Sequence, residues 1–170
     1  METLEAPIKQ KKKVEKKLRK IMIINSKATI DSVYAALILA NGARMEGLES
    51  EIFCTFFGLE MLQPKKMNQL HVATVGNPGM HIPTIIGGLP GMETLASTIM
   101  KKEMDKLDIP PVDEFLEIYK ASGGKVFACK LAMDMFHLSE EDLWDGVDEV
   151  LTVGDFYGRA QEEGSQIIFI

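Results

Sequence analysis

Cys129 closes a short apolar run, Lys125–Cys129 (KVFAC), and the residues after it have the pattern of a helix. That position sets the sulfur against the positive end of a helix dipole and against first-turn N–H groups with no partner. Both effects stabilise a thiolate, the nucleophilic form of cysteine. Lys130 adds a positive charge beside it. The plainer reading is a small buried hydrophobe, the usual fate of a free cysteine, and spacing alone does not choose between the two. Cys54, the second of the two cysteines, lies inside an apolar run, so core filling is its simpler role. With no CxxC and 75 positions between them, the pair forms neither a disulfide framework nor a zinc spacing.

Other chemistries lack their residues. His71, His81 and His137 are scattered, with no HxH or HxxxH pair, so no metal site is expected. His81 falls in an irregular segment and reads as a solvated loop histidine, with a base for the cysteine as the rival reading. No GxSxG elbow and no GxxxxGK[ST] loop occurs. Gly87-Gly88 and Gly91 do not lead from a clear strand into a phosphate-binding helix, so no bound cofactor is expected. Met133 and Met135 read as packing, although soft sulfur lining would suit a sulfur-bearing ligand.

The elements that must position Cys129 alternate. Lys20–Asn25 (KIMIIN) lacks period-two alternation, as in a strand buried on both faces. Thr29 reads as an N-cap for a helix carrying Ile30, Val33, Tyr34, Leu37 and Ile38, which stops at Gly47. A strand is expected at Glu51–Phe56. Residues 63–91 hold four prolines and five glycines, which marks a lid, a binding loop or an interface arm, with a short strand possible at Leu70–Val75. Helices are expected from Met92 and over Val112–Lys120, and after Cys129 from Lys130 to Phe136. Another is expected to open at Ser139–Asp142. A strand at Glu149–Val153, a helix from Asp155 to Glu163 and a last strand at Gln166–Ile170 complete the chain. The expected fold is an α/β three-layer sandwich with a mostly parallel sheet of about five strands. In such sheets ligands bind outside the carboxyl ends of the strands, near a switch in strand order. Asn25 through Lys27, Cys54 through Gly58, and Cys129 with Lys130 would then share one edge.

The totals agree with one domain over residues 20–170 behind a basic leader at 1–19. Residues 1–20 carry eight Lys/Arg against three Glu, so the remaining chain sums to −11. An acidic body offers no general surface for nucleic acid. The leader is expected to be a solvated, helical or flexible stretch. No run of 18 apolar residues occurs, so no transmembrane segment is expected. No signal-peptide core is seen, and the cysteine usage fits a reducing cytoplasm.

The segment Gly124–Leu138 (GKVFACKLAMDMFHL) resembles the cysteine segment of the DsrE/DsrF-like sulfur-relay proteins, in the branch often labelled peroxiredoxin-like. Ser26–Asp31, Thr55–Leu59, Leu89–Glu93, Met100–Lys102 and Asp145–Val147 follow in the order of that family, over about residues 20–170. The resemblance implies a homo-oligomeric sulfur carrier or sulfurtransferase whose cysteine holds sulfur as persulfide or thiosulfonate. Only Cys129 matches the family's cysteine position. Ser26, Lys27, Thr55, Phe56, Gly58 and Lys130 are the expected substrate-binding set, and small sulfur-carrier or rhodanese-like proteins the expected partners. Two rivals stand beside this reading: a non-catalytic assembly module with a structural Cys129, and a flavin- or nucleotide-binding domain of flavodoxin type.

Overall fold

Strands form at the short apolar runs without helical spacing, and helices where apolar residues recur every three or four positions. The structure, a computed structural model, describes residues 17–170. Most of the basic leader therefore lies outside the described residues. The strands are β1 (Lys20–Asn25), β2 (Glu49–Cys54), β3 (Lys125–Cys129), β4 (Glu149–Leu151) and β5 (Ser165–Phe169). They form one sheet in the order β4-β3-β2-β1-β5, and every pairing is parallel. The helices are α1 (Ile30–Met45), α2 (Thr84–Gly87), α3 (Met92–Asp105), α4 (Val112–Ala121), α5 (Lys130–Met135) and α6 (Val153–Ala160).

The register sorts the side chains into two faces. Ile21, Ile23, Asn25, Ser50, Ile52, Cys54, Val126 and Ala128 share the face covered by α1 and α4. There α1 buries Val33, Ala36, Leu37 and Ala40, and α4 buries Leu116 and Tyr119. The Tyr119 hydroxyl donates to Ser50 Oγ at 3.0 Å. Met22, Ile24, Glu51, Phe53, Phe127 and Cys129 share the other face, against α6. Phe156 of α6 stacks on Phe53, with ring centroids 4.9 Å apart. The sandwich is thus three-layered, with the α6 layer the thinner.

Beneath α6 lies an ion cluster. Glu51 accepts a forked pair of bonds from Arg159 at 3.0 and 2.6 Å, and Lys20 Nζ sits 3.0 Å from the same carboxylate. Lys20 and Glu51 are almost fully buried. The Arg159 guanidinium lies over the Phe127 ring, 4.5 Å from its centroid. A lysine and a glutamate inside otherwise apolar strand runs were the sequence signal for this cluster.

Several boundaries differ from expectation. β2 ends at Cys54, two residues early, because Phe56 takes φ 45° and cannot continue a strand; a 3-10 segment, Phe56–Leu62, follows instead. Leu70–Val75 makes only one parallel bridge, His71 to Thr29, not a strand. Ser139–Asp142 closes a capping box on a single 3-10 turn, Glu140–Asp142, and opens no helix. At α6 the cap is Thr152, with Asp155 as its box partner three residues on. That shortens β4, and α6 ends at Ala160 rather than Glu163.

Candidate functional site

Three strand ends meet at the carboxyl edge of the sheet. β1 ends in Asn25, which is fully buried. Its carbonyl accepts from Thr55 N–H at 3.0 Å, and its Nδ2 approaches Met61 Sδ at 3.1 Å, while Oδ1 has no hydrogen-bond partner. Asn25 thereby fastens the Phe56–Leu62 segment across the sheet edge. The crossing needs Gly58, because a Cβ there would stand 2.1 Å from the Asn25 carbonyl oxygen. Leu59, Met61 and Leu62 are buried beneath it. Exposed Phe57 reaches over to Phe136 at the end of α5, with ring centroids 5.4 Å apart.

Gly58→Ala is expected to cost about 2 kcal/mol, the usual scale of overpacking against a backbone that cannot move. Gly42, inside α1 with nothing within 4 Å of its Cβ position, gives the opposite sign. Gly42→Ala is expected to stabilise by about 0.5–1 kcal/mol through helix propensity. Urea unfolding midpoints of the two variants check both signs.

Cys129 ends β3 and is the N-cap residue of α5, with no side-chain bond to the helix. It is 4% exposed. α5 has only six residues, so its dipole is short. Its neighbour Lys130 is exposed and pairs with Asp134 one turn along the helix. Cys54 pairs in register with Ala128, not with Cys129. Alternation therefore points the two thiols to opposite faces of the sheet. Cys54 is fully buried, and burial pushes its thiol well above the usual range. That arrangement excludes a Cys54–Cys129 disulfide without remodelling β3, and it fits the core-filling role read from the sequence.

The remaining expected residues are spread around the rim. The Ser26 hydroxyl donates to the Ile170 carbonyl at 2.9 Å, which ties β5 to the end of β1. Lys27 is exposed and lines a groove of about 560 Å³ with Thr29, Phe57, Glu60, His71 and Glu93. Thr55 precedes the 3-10 segment as its N-cap, and Phe56 stands exposed with left-handed backbone. The strand-order switch falls between β1 and β5, beside Ser26, whereas Cys129 lies two strands away at the end of β3. The usual crevice rule for open sheets therefore points away from the cysteine. His81 is exposed, with Nδ1 3.0 Å from the Gly79 carbonyl. Among the described residues no cluster of three His, Cys, Asp or Glu gathers as a metal site, and no helix is long and apolar enough to cross a membrane. Phe136 and the Gly58 approach were missed in the sequence, and Asn25 was marked at the end of β1 without a role. The one available signal was a polar asparagine at the end of an apolar strand.

Comparison with known proteins defines the class. The DsrE/DsrF/DrsH-like family profile matches residues 17–168, and this chain belongs to that family. It is 33% identical over 138 residues to the sulfur carrier protein DsrE2 of Allochromatium vinosum, covering 76% of this chain and 86% of that protein. It is 29% identical over 145 residues to the uncharacterized protein YrkE of Bacillus subtilis, covering 82% and 89%. In fold it matches the ychN protein of E. coli with a TM-score of 0.55 at 18% identity, covering 90% of this chain and all of that one. A Methanobacterium thermoautotrophicum protein of unknown function, MTH1491, gives the same TM-score at 14% identity, covering 90% and 99%. The family and the named relative support a role in sulfur relay.

Proposed function

We propose that this chain is a cytoplasmic sulfur carrier or sulfurtransferase that holds sulfane sulfur on Cys129. The observation that carries the reading is the placement of Cys129 at the carboxyl edge, away from Cys54, in a chain related to a named sulfur carrier. The Cys129 thiolate attacks the outer sulfur of a persulfide donor, forms a new S–S bond, and releases the donor thiolate. With tetrathionate the same attack leaves a thiosulfonate on Cys129 and releases thiosulfate. Discharge repeats the exchange in reverse, with the cysteine of a small carrier or rhodanese-like partner as acceptor. Electrons balance at each step, because one S–S bond is made for each one broken.

Backbone N–H groups after Cys129, with Lys27 and the Thr55 hydroxyl, bind the anionic end of the adduct; Gly58, whose N–H donates to the Thr55 carbonyl at 2.9 Å, serves only to let the chain cross Asn25. Lys130 adds positive charge at the rim, Ser26 fixes the loop that carries Lys27, and Phe56 shields the adduct from water. The sulfur, 4% exposed in this structure, is reached when the residues around it shift. The test is intact mass after thiosulfate, tetrathionate or a low-molecular-weight persulfide. Wild type gains the sulfur mass. The same gain in Cys129→Ser overturns the reading.

The 4% exposure of Cys129 favours one rival, an assembly module in which the cysteine is structural. In that case a thiol reagent leaves Cys129 unmodified in the native protein and modifies it only after unfolding.

A further inference from the structure

The groove beyond the carboxyl end of β1 shares only Lys27 with the sulfur chemistry. It lies at the switch in strand order, where β5 returns to the far side of β1. Open parallel sheets take their ligands at that place. Its volume of about 560 Å³ is that of a small-molecule site.

The parts of the groove are held together by the backbone. A parallel bridge joins Thr29 to His71, and Ile30 N–H donates to the His71 carbonyl at 3.0 Å. Val72 N–H donates to Ser97 Oγ at 2.9 Å, which ties the same stretch to α3. The groove therefore exists before any ligand enters it, and little ordering opposes binding.

Within its lining, Lys66 and Glu60 pair with each other at 2.8 Å. Two sets of polar groups are left. Lys27 is exposed and makes no ion pair among the described residues. Beside it, the N–H groups of Lys27, Ala28 and Thr29 donate no backbone hydrogen bond among those residues. The second set is the Glu93 carboxylate in the first turn of α3. Its charged neighbour among the described residues is His71 Nδ1 at 3.7 Å, beyond hydrogen-bond reach. The rest of the lining includes buried Leu70 and Val72 and the exposed ring of Phe57.

The two unanswered sets are opposite in sign, so a ligand of one charge leaves one of them without a partner. The geometry points to a short zwitterionic peptide as the occupant of this groove. Its carboxylate accepts from Lys27 and from the N–H groups of the turn after β1, and its ammonium donates to Glu93. An apolar side chain packs on Phe57. Inorganic phosphate or sulfate would use the Lys27 end alone, and an apolar ligand would use neither end. The site goes beyond the sulfur-carrier reading, and Cys129 takes no part in it.

The test uses the full chain with glycyl-leucine as the probe. It does not read sulfur loading, so its failure and that of the carrier reading are separate results. Amide NMR titration is expected to saturate, with shifts at Lys27–Thr29 and His71–Ala73. N-acetylglycyl-leucine lacks the ammonium and glycyl-leucinamide lacks the carboxylate; each is expected to bind about tenfold more weakly, the usual size of one charge-assisted hydrogen bond. Glu93→Gln is expected to weaken glycyl-leucine by about tenfold and to leave N-acetylglycyl-leucine unchanged, because the acetylated peptide never used that carboxylate. Lys27→Met is expected to weaken glycyl-leucine and to leave glycyl-leucinamide unchanged. Both side chains are exposed, so the variants keep the fold. No saturable shift, or shifts confined to other residues, overturns the proposal. So does N-acetylglycyl-leucine binding as tightly as glycyl-leucine, which reduces the groove to an anion site.

Discussion

Replacing Cys129 by serine is expected to abolish sulfur loading, while replacing Cys54 by serine leaves the loaded site intact and lowers stability. The contrast follows from the sheet pleat. Cys54 faces α1 and α4, is wholly enclosed, and has a thiol that burial holds in its protonated form. A protonated thiol inside a core neither attacks a sulfane sulfur nor meets one. Cys129 faces the α6 side at the carboxyl edge of the sheet, as the N-cap residue of α5. Loading by Cys129→Ser should fall to the level of a blank without protein. Cys54→Ser should load to wild-type stoichiometry at low denaturant, because a buried hydroxyl without a partner costs about 1–3 kcal/mol but leaves the fold in place. Intact mass and urea unfolding of the two variants check both halves.

Glu51→Ala is expected to cost the fold about 3–5 kcal/mol, since it leaves the buried Lys20 ammonium without its main counter-charge. Among the described residues only Glu162, exposed just beyond α6, remains as a charged partner of Lys20, at 3.2 Å. The double change Lys20→Met with Glu51→Leu removes both charges and fills similar volume. It should recover most of the loss, because a buried ion pair and a packed apolar pair differ little in net stability. A double variant as unstable as the single one would contradict this account of the cluster. The cluster also sets an acid limit. Desolvation alone would raise the Glu51 pKa, but the hydrogen bonds from Arg159 and Lys20 and their charges outweigh it, and hold the carboxyl below its ordinary value of 4.5. A carboxyl depressed in the folded state contributes stability above its unfolded value and loses it as pH falls through its folded value. Wild type should therefore lose stability below about pH 4.5, and Glu51→Gln should lose less over the same interval.

The strands, their parallel pairing and the position of Cys129 were legible in the sequence because buried parallel strands are short apolar runs, and the helices between them keep their own period. The start of α1 was legible at Thr29, although its hydroxyl donates to Ser32 Oγ and caps no backbone N–H; the cap was misplaced at α6, where Thr152 and Asp155 both suit a cap and only the backbone decides. The end of β2 was misjudged because Phe56 and Phe57 look like strand residues, while the left-handed backbone at Phe56 is imposed by the crossing to Asn25. Long-range contacts such as Gly58 against Asn25 and Phe57 against Phe136 leave no periodic trace. The groove at Lys27, His71 and Glu93 is assembled from three separate stretches of chain, and nothing in their spacing brings them together. The switch in strand order depends on β5 returning beside β1, which a list of elements does not specify.

On the proposed reading, sulfur resides on Cys129 and on no other atom of the chain. Peptide-resolved mass spectrometry of wild type after tetrathionate, with free thiols blocked before digestion, tests it most directly. The thiosulfonate is expected on the peptide containing Cys129 and a plain blocked thiol on the peptide containing Cys54. Sulfur on the Cys54 peptide, or an unmodified Cys129 peptide at saturating donor, would contradict it.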